Sequence, residues 1–174
     1  MKRVFIVDAK RTPIGSFLGS LSNLSAPMLG AEVIKDIMKR NNLAPNTIDE
    51  VIMGNVLSAG IGQAPARQTA IFAGLSDKTE TLTINKMCGS GLKAVMLAQQ
   101  AISVGDANLI IAGGIESMSN APFLLPNVRN GLRLGHSKLY DSMIYDGLWD
   151  VYNNIHMGNC AEITAREFGF SRTD

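Results

Sequence analysis

The chain has 174 residues, of which 46% are hydrophobic, and it carries 16 lysines and arginines against 15 aspartates and glutamates. The net charge is close to zero, so the chain lacks the excess of positive charge that attracts nucleic acids and membrane surfaces. We therefore expect neither as a partner. No apolar stretch has the length of a membrane span, the first residues lack the features of a signal peptide, and two cysteines are too few for a disulfide scaffold. We therefore expect a cytoplasmic protein. Its two cysteines and two histidines lack the spacing of metal ligands, so no metal is expected.

Strands and helices are predicted to alternate along the first two thirds of the chain. The resulting βαβαβαβ order implies an α/β fold with a mainly parallel sheet and right-handed crossovers. The last predicted helix of this series has almost no polar face, so we expect it to be buried on all sides. In chain order, the hydrophobic pattern predicts a strand over Arg3–Val7, a helix that begins after an N-cap at Ser25 and ends at Asn41, a strand over Glu50–Leu57, a helix over Ala64–Ala73, a strand over Thr81–Asn85, a helix over Gly91–Val104 and a strand over Asn108–Ala112.

The character of the chain changes after about Ser119. Residues 121–140 contain two prolines and two glycines together with three basic residues, Arg129, Arg133 and Lys138. Loops of this length in compact proteins are usually functional or part of an assembly contact, although these three residues could equally form a solvated basic face. A further helix is predicted over Gly158–Phe168.

The strongest chemical signal is the segment Asn85–Ala94, where a strand ends, a glycine-rich turn follows and a helix begins. Cys88 lies at the start of that helix, where unpaired backbone N–H groups and the helix dipole favour a thiolate. Gly89 and Gly91 leave room for a ligand carbonyl, and the Cys88 N–H could donate to an oxyanion. An inert core cysteine remains the alternative on these residues alone. A phosphate loop is disfavoured because Lys86 precedes the glycines and no Gly-Lys-Ser/Thr follows.

Asn85–Ala94 resembles the nucleophile segment of thiolases. The resemblance implies a thiolase-type layered fold with a mixed, mostly parallel sheet. It divides the chain into an incomplete N-terminal α/β domain over residues 1–118 and the start of a loop domain, cut short, over residues 119–174. Further stretches resemble the family in the same order and together cover nearly all of the chain: Ala9–Gly15, Gly54–Val56, Gly114–Ser119, Asp146–Leu148 and His156–Gly158.

The activity that the resemblance implies is acyl transfer between coenzyme A thioesters. Cys88 would attack the acyl carbonyl and carry the acyl group as a thioester. The implied reaction is that of an acetyl-CoA C-acetyltransferase, which converts two acetyl-CoA into acetoacetyl-CoA and CoA reversibly, with no cofactor besides these thioester substrates. The His156-Met157-Gly158 form resembles the short-chain, biosynthetic members. A 3-ketoacyl-CoA thiolase of broader chain length and a ketoacyl synthase are alternatives with the same chemistry.

Leu148, His156 and Met157 match residues of the family's pocket for CoA and the acyl group, with ordinary packing as the alternative for each. The assisting histidine, an asparagine that holds a water and the second cysteine belong to the family's C-terminal half, and their motifs do not occur here. Cys160 lies too early to be that second cysteine and is interpreted as a packed helix residue. His136 is interpreted as a solvated loop histidine.

The resemblance also implies partners. A complete protein would be a homo-oligomer, a dimer of dimers, in which the basic loop pairs the dimers. A different class of function stays open: the chain could be a non-catalytic fragment or one half of a split protein that needs the C-terminal thiolase half. Such a fragment would expose a large apolar surface. Arg67 and Gln68 begin the second helix and are assigned no site.

Overall fold

The computed structural model describes residues 2–174. It contains two compact units, Met1–Asn120 and Ala121–Asp174. The first unit alternates helices and strands, which fits the predicted α/β class. Its elements are α1 (Ala26–Arg40), β1 (Glu50–Gly54), α2 (Pro65–Phe72), β2 (Glu80–Ile84), α3 (Ser90–Val104), β3 (Ile110–Gly114) and a short 3₁₀ turn (Met118–Asn120).

The three strands form a parallel sheet in the order β2-β1-β3. Gly54, the last residue of β1, pairs with Ile84 of β2 and with Gly114 of β3. The carboxyl ends of all three strands therefore lie together at one edge of the sheet, which is where parallel α/β folds place their ligand sites.

Helices cover both faces of this sheet, because successive strand residues point to opposite sides. Val51 and Met53 pack into one core cluster with residues of α1 and α2. Ile52 faces the other way and packs against Ala94 and Ala98 of α3. The parallel α/β architecture predicted from the alternating pattern is confirmed.

The predicted N-cap of the first helix, Ser25, is also confirmed. The Ser25 hydroxyl accepts a hydrogen bond from the Met28 N–H at 3.4 Å, which satisfies one of the unpaired donors of the first turn of α1. Gly105 ends α3 in the left-handed conformation, which glycine adopts without steric cost.

Two predictions about burial are wrong. Arg3–Val7 is not a strand, and Phe5, Ile6 and Val7 are 74%, 81% and 76% exposed, because no strand of the described residues pairs with them. The α3 helix is buried on one face only. Its sheet-facing residues are covered, whereas Leu92 and Val104 are 70% and 71% exposed, because no described element packs over that side.

The second unit consists of short elements and loops. Two short antiparallel pairs, β4 with β5 and β6 with β7, organise it. The elements of the second unit are β4 (Phe123–Leu124), a 3₁₀ turn (Val128–Asn130), β5 (Tyr140–Asp141), a π-helix (Met143–Leu148), β6 (Trp149–Asp150), β7 (Ile155–His156) and α4 (Met157–Phe168). Helix α4 confirms the helix predicted near the end of the chain.

In the part of the chain that the structure describes, no helix combines the length and the hydrophobicity needed to span a membrane.

Candidate active site

The Cys88 turn, residues 85–89, connects the end of β2 to the start of α3 at the carboxyl edge of the sheet. Cys88 is exposed and precedes Gly89, the N-cap of α3, by one residue. Met87 adopts a left-handed backbone with φ of 48°, which is uncommon for a residue with a side chain and is held here by local hydrogen bonds. The Met87 N–H donates to Asn85 Oδ1 at 2.9 Å, and the Gly89 N–H donates to the Lys86 carbonyl at 3.1 Å.

A buried hydroxyl holds the same turn from inside. Ser90, the first residue of α3, is 5% exposed. Its Oγ accepts a hydrogen bond from the Lys86 N–H at 2.9 Å and donates to the Met87 carbonyl at 2.5 Å. The Cys88 turn is therefore closed on both sides by fixed polar contacts, and the thiol is presented from a well-defined backbone.

Close backbone packing places the start of α3 against the sheet edge. A Cβ added to Gly54 would lie 2.5 Å from Ser90 Cβ and 2.8 Å from Gly91 N, so only glycine fits there. Gly91 in turn faces Gly113 and Gly114 of β3, with its Cβ position 3.7 Å from the nearest backbone atoms. Glycines in β1, β3 and α3 thus let three backbones meet beside Cys88.

A polar cluster lies next to Gly54 and consists of Glu116, Asn55, Val56 and Leu57. This Glu116 cluster was not predicted as a site from the sequence. Glu116, half-buried after β3, accepts hydrogen bonds from the Val56 N–H at 2.9 Å and the Leu57 N–H at 3.1 Å. It also accepts from Asn55 Nδ2 at 2.8 Å. Burial raises the pKa of the Glu116 carboxyl above its usual value, while these three donors act in the opposite direction. The stretches Gly54–Val56 and Gly114–Ser119 carried the family resemblance, but their sequence gave no sign that they bind each other.

The second unit contains Leu148, His156 and Met157. Trp149 of β6 pairs with His156 of β7, and Leu148 and Met157 are the residues directly before β6 and directly after β7. His156 and Leu148 are half-buried, whereas Met157 is 47% exposed. Leu148 ends the π-helix, a type of helix that occurs often at functional sites and that the sequence pattern did not reveal.

His156 has a defined hydrogen-bonding role in this arrangement. Its Nδ1 accepts the Gly158 N–H at 3.0 Å and so caps the N-terminus of α4. An imidazole that accepts through Nδ1 carries its proton on Nε2, which leaves one N–H free to donate to a ligand. Cys88 belongs to the first unit, whereas the other three predicted site residues lie in the second.

The remaining candidates take no part in a site among the described residues. His136 is exposed, as are Arg129, Arg133 and Lys138 of the basic loop. Cys160 is half-buried in α4, with its Sγ 3.9 Å from Asp150 Oδ2. Arg67 donates to the carbonyls of Thr79 and Asp77, both at 2.7 Å, and so ties α2 to the loop before β2. Within residues 2–174, no cluster of three or more His, Cys, Asp or Glu residues could hold a metal.

Chemically, this arrangement suits nucleophilic attack by Cys88. The thiol is accessible, it lies at the start of a 15-residue helix, and the neighbouring glycines leave the approach open. Helix-start N–H groups favour the oxyanion that forms when a thiolate adds to a carbonyl.

Comparison with known proteins agrees with this chemistry. The family described as "Thiolase, N-terminal domain" matches residues 4–174. The acetyl-CoA acetyltransferase of Allochromatium vinosum is 56% identical over 171 residues, which cover 98% of this chain and 43% of that protein. The acetyl-CoA acetyltransferase of Cupriavidus necator is 57% identical over 172 residues, which cover 99% of this chain and 44% of that protein. The chain thus spans less than half the length of these relatives.

A solved structure shares the fold. The crystal structure of Acat5 thiolase from Ascaris suum in complex with coenzyme A superimposes with a TM-score of 0.87 at 44% sequence identity. The match covers 94% of this chain and 42% of that one.

Proposed function

The chain belongs to the thiolase family, whose N-terminal domain it matches over nearly its whole length, and we propose that Cys88 carries the acyl group in a transfer between coenzyme A thioesters. The observation that carries this proposal is the exposed Cys88 in a fixed turn at the start of α3. The names of the relatives support acetyl-CoA as the substrate.

In the proposed first step, the Cys88 thiolate adds to the carbonyl carbon of acetyl-CoA. The carbonyl oxygen becomes an oxyanion, toward which the Cys88 N–H is proposed to donate. Collapse of this adduct breaks the bond to CoA, which leaves as a thiolate and takes up a proton, and Cys88 keeps the acetyl group as a thioester. One thioester replaces another, so the step is close to thermoneutral and reversible.

In the proposed second step, the α-carbon of the enolate of another acetyl-CoA forms a bond to the carbonyl carbon of the Cys88 thioester. The bond between that carbon and the Cys88 sulfur then breaks, so Cys88 leaves as a thiolate and acetoacetyl-CoA is released. This step needs a base that removes a proton from the α-carbon and donors that stabilise the enolate. By resemblance those groups are a second cysteine, a histidine and an asparagine whose motifs do not occur in this sequence. We therefore expect this chain to form the acyl-enzyme but to need a C-terminal thiolase half for condensation.

The proposed CoA pocket includes Leu148, His156 and Met157. Its support is the place of these residues on or directly beside the β6–β7 pair and the Nε2–H of His156, which can donate to an amide carbonyl of the pantetheine arm. The coenzyme A bound to the Ascaris suum thiolase supports a CoA thioester as the ligand class.

Assembly and location complete the proposal. A complete protein would form a dimer of dimers through loops such as residues 121–140, whose basic and apolar side chains are exposed here. A cytoplasmic location is supported by the low cysteine content alone.

A second candidate function is a non-catalytic fragment or split half. The exposed apolar side chains of Arg3–Val7 and of the outer face of α3 favour it, because an isolated protein seldom leaves such groups uncovered. A 3-ketoacyl-CoA thiolase of broader chain length is the remaining option within the family.

The test is the intact mass of the chain after incubation with acetyl-CoA. Wild type and the matched control Cys160→Ser should each gain one acetyl group, and Cys88→Ser should gain none. If the wild type gains nothing, the experiment is repeated with a C-terminal thiolase half added. Continued failure in an assembled complex would refute Cys88 as the acyl carrier, whereas success only with the added half would favour the split-protein function.

A further inference from the structure

The proposed acyl transfer leaves one polar group of the first unit without a role. Glu116 follows β3 at the carboxyl edge of the sheet, and both of its carboxylate oxygens are used. Oε1 accepts from Asn55 Nδ2 and from the Leu57 N–H, and Oε2 accepts from the Val56 N–H. Three donors on consecutive residues after β1 thus converge on one half-buried carboxylate.

These contacts continue to the Cys88 turn through Asn55. The Asn55 N–H donates to the Ile84 carbonyl at 3.0 Å, and Ile84 is the residue before Asn85, which begins the turn. Asn85 Oδ1 then accepts the Met87 N–H, directly before Cys88. On the other side of Asn55, Gly54 packs against Ser90.

Asn55 depends on Glu116 for its position. It is 3% exposed, its Nδ2 donates to Glu116 and to the Ile115 carbonyl at 3.2 Å, and its Oδ1 is buried without a donor among residues 2–174. Burying an amide with one unpaired atom is unfavourable, so the side chain stays there only because its other end is well bonded. A carboxylate is the strongest acceptor available for that purpose.

We propose that Glu116 is a positioning residue that fixes the Cys88 turn through Asn55. The proposal rests on Cys88 as the reactive thiol, but not on any reaction with acetyl-CoA. The hydrogen bonds of Glu116 go to residues 55–57 and not to Cys88. Its carboxylate holds the end of β1, which in turn holds the end of β2 and the first residue of α3.

The variants that test this proposal differ in charge and length. Glu116→Gln keeps the shape but has one oxygen, so at least one of the three donors loses its acceptor. Glu116→Asp keeps the charge but is one methylene shorter and cannot reach all three donors. Glu80→Gln is the matched control, because it removes the same charge from an exposed residue at the opposite end of the sheet.

The readout is the rate at which iodoacetamide alkylates each cysteine, followed by peptide mass spectrometry across a range of pH. Cys160 is measured in the same molecule as the internal reference. We expect Cys88 alkylation to slow about two- to fivefold in both Glu116 variants, the size expected for losing the helix-start stabilisation of an anion. The alkylation rate of Cys160, and that of Cys88 in the Glu80→Gln control, should stay unchanged.

Circular dichroism establishes that the variants are folded. Unchanged Cys88 alkylation in the folded variants, or equal changes at Cys88 and Cys160, would overturn the proposal. Loss of the fold in both variants would also count against it, because a positioning residue is not needed for folding. Since alkylation uses no CoA, failure of acetylation with a normal Glu116 effect would refute the proposed function and leave this inference standing.

Discussion

Replacement of Gly54 by alanine should displace the start of α3 and slow the reaction of Cys88. The new Cβ would lie 2.5 Å from Ser90 Cβ, 2.7 Å from the Ser90 carbonyl carbon and 2.8 Å from Gly91 N. Carbon atoms prefer a separation of about 3.5 Å or more, so the helix start must retreat by about 1 Å. The neighbouring atoms belong to backbone and to a buried residue, so no flexible side chain can absorb the shift.

The expected cost is that of overpacking a core, about 1–3 kcal/mol, which lowers the melting temperature by about 2–4 °C for each kcal/mol in a chain of this size. A displacement of 1 Å at a reacting group can also slow chemistry by up to about 100-fold. We therefore expect Gly54→Ala to lower the midpoint of urea unfolding. We also expect it to slow the acetylation of Cys88 by acetyl-CoA by a larger factor than the increase in unfolded chain would cause.

Gly113→Ala is the matched control for this experiment. It adds the same methyl group to the neighbouring strand, where the nearest atom to the new Cβ is Met53 Sδ at 3.9 Å, an ordinary contact. Its stability and acetylation rate should stay close to those of the wild type. Equal behaviour of Gly54→Ala and Gly113→Ala in both assays would refute the idea that backbone contact at Gly54 sets the Cys88 turn.

Two further predictions concern stability. The backbone N–H groups of Asn108 and Leu109 hold the pKa of the Asp49 carboxyl below its usual value of 3.8, so its stabilising effect is present above that pH and is lost as the pH falls through the lowered pKa. Asp49→Asn should lower the free energy of unfolding by about 1 kcal/mol at pH 7, a small effect because solvent screens this exposed residue, and urea unfolding measures it. The difference from wild type should shrink as the pH falls below 3.8 and vanish below the lowered pKa. An equal loss in the exposed Asp106→Asn would contradict this. His156→Ala should destabilise α4 by about 1 kcal/mol, because the Nδ1 cap of the helix is lost. His156→Asn should keep most of the stability of α4, because asparagine is also a good N-cap. Equal helicity of both variants by circular dichroism would show that the cap contributes nothing.

Local sequence pattern was sufficient for the elements of the sheet and its helices. Each strand is a short apolar run bounded by turn residues, and α1 begins at a serine cap, so the signals lie within a few residues of the elements they define. The position of Cys88 followed for the same reason, because a strand end, a glycine-rich turn and a helix start are all local features.

Burial was not predictable in the same way. An apolar run indicates that a segment is buried in the finished protein, but it does not say which element covers it. Arg3–Val7 and the outer face of α3 have the composition of buried elements, and the described residues offer nothing that covers them. The Glu116 cluster was missed for a related reason, since its partners lie about 60 positions away along the chain and meet only once β1 and β3 are paired.

The hydrogen bonds and packing contacts described around Cys88 lie within the first unit. Ser90, Asn85, Gly54 and the Glu116 cluster supply them. Acylation needs an accessible nucleophile, which this unit contains in Cys88, and donors for one oxyanion, a role that we propose for the Cys88 N–H. Condensation also needs a base that deprotonates a carbon acid. By resemblance that base is a second cysteine, whose motif does not occur in this sequence. The two half-reactions should therefore separate experimentally: the chain alone acquires an acetyl group, and carbon–carbon bond formation begins only when a C-terminal thiolase half is supplied.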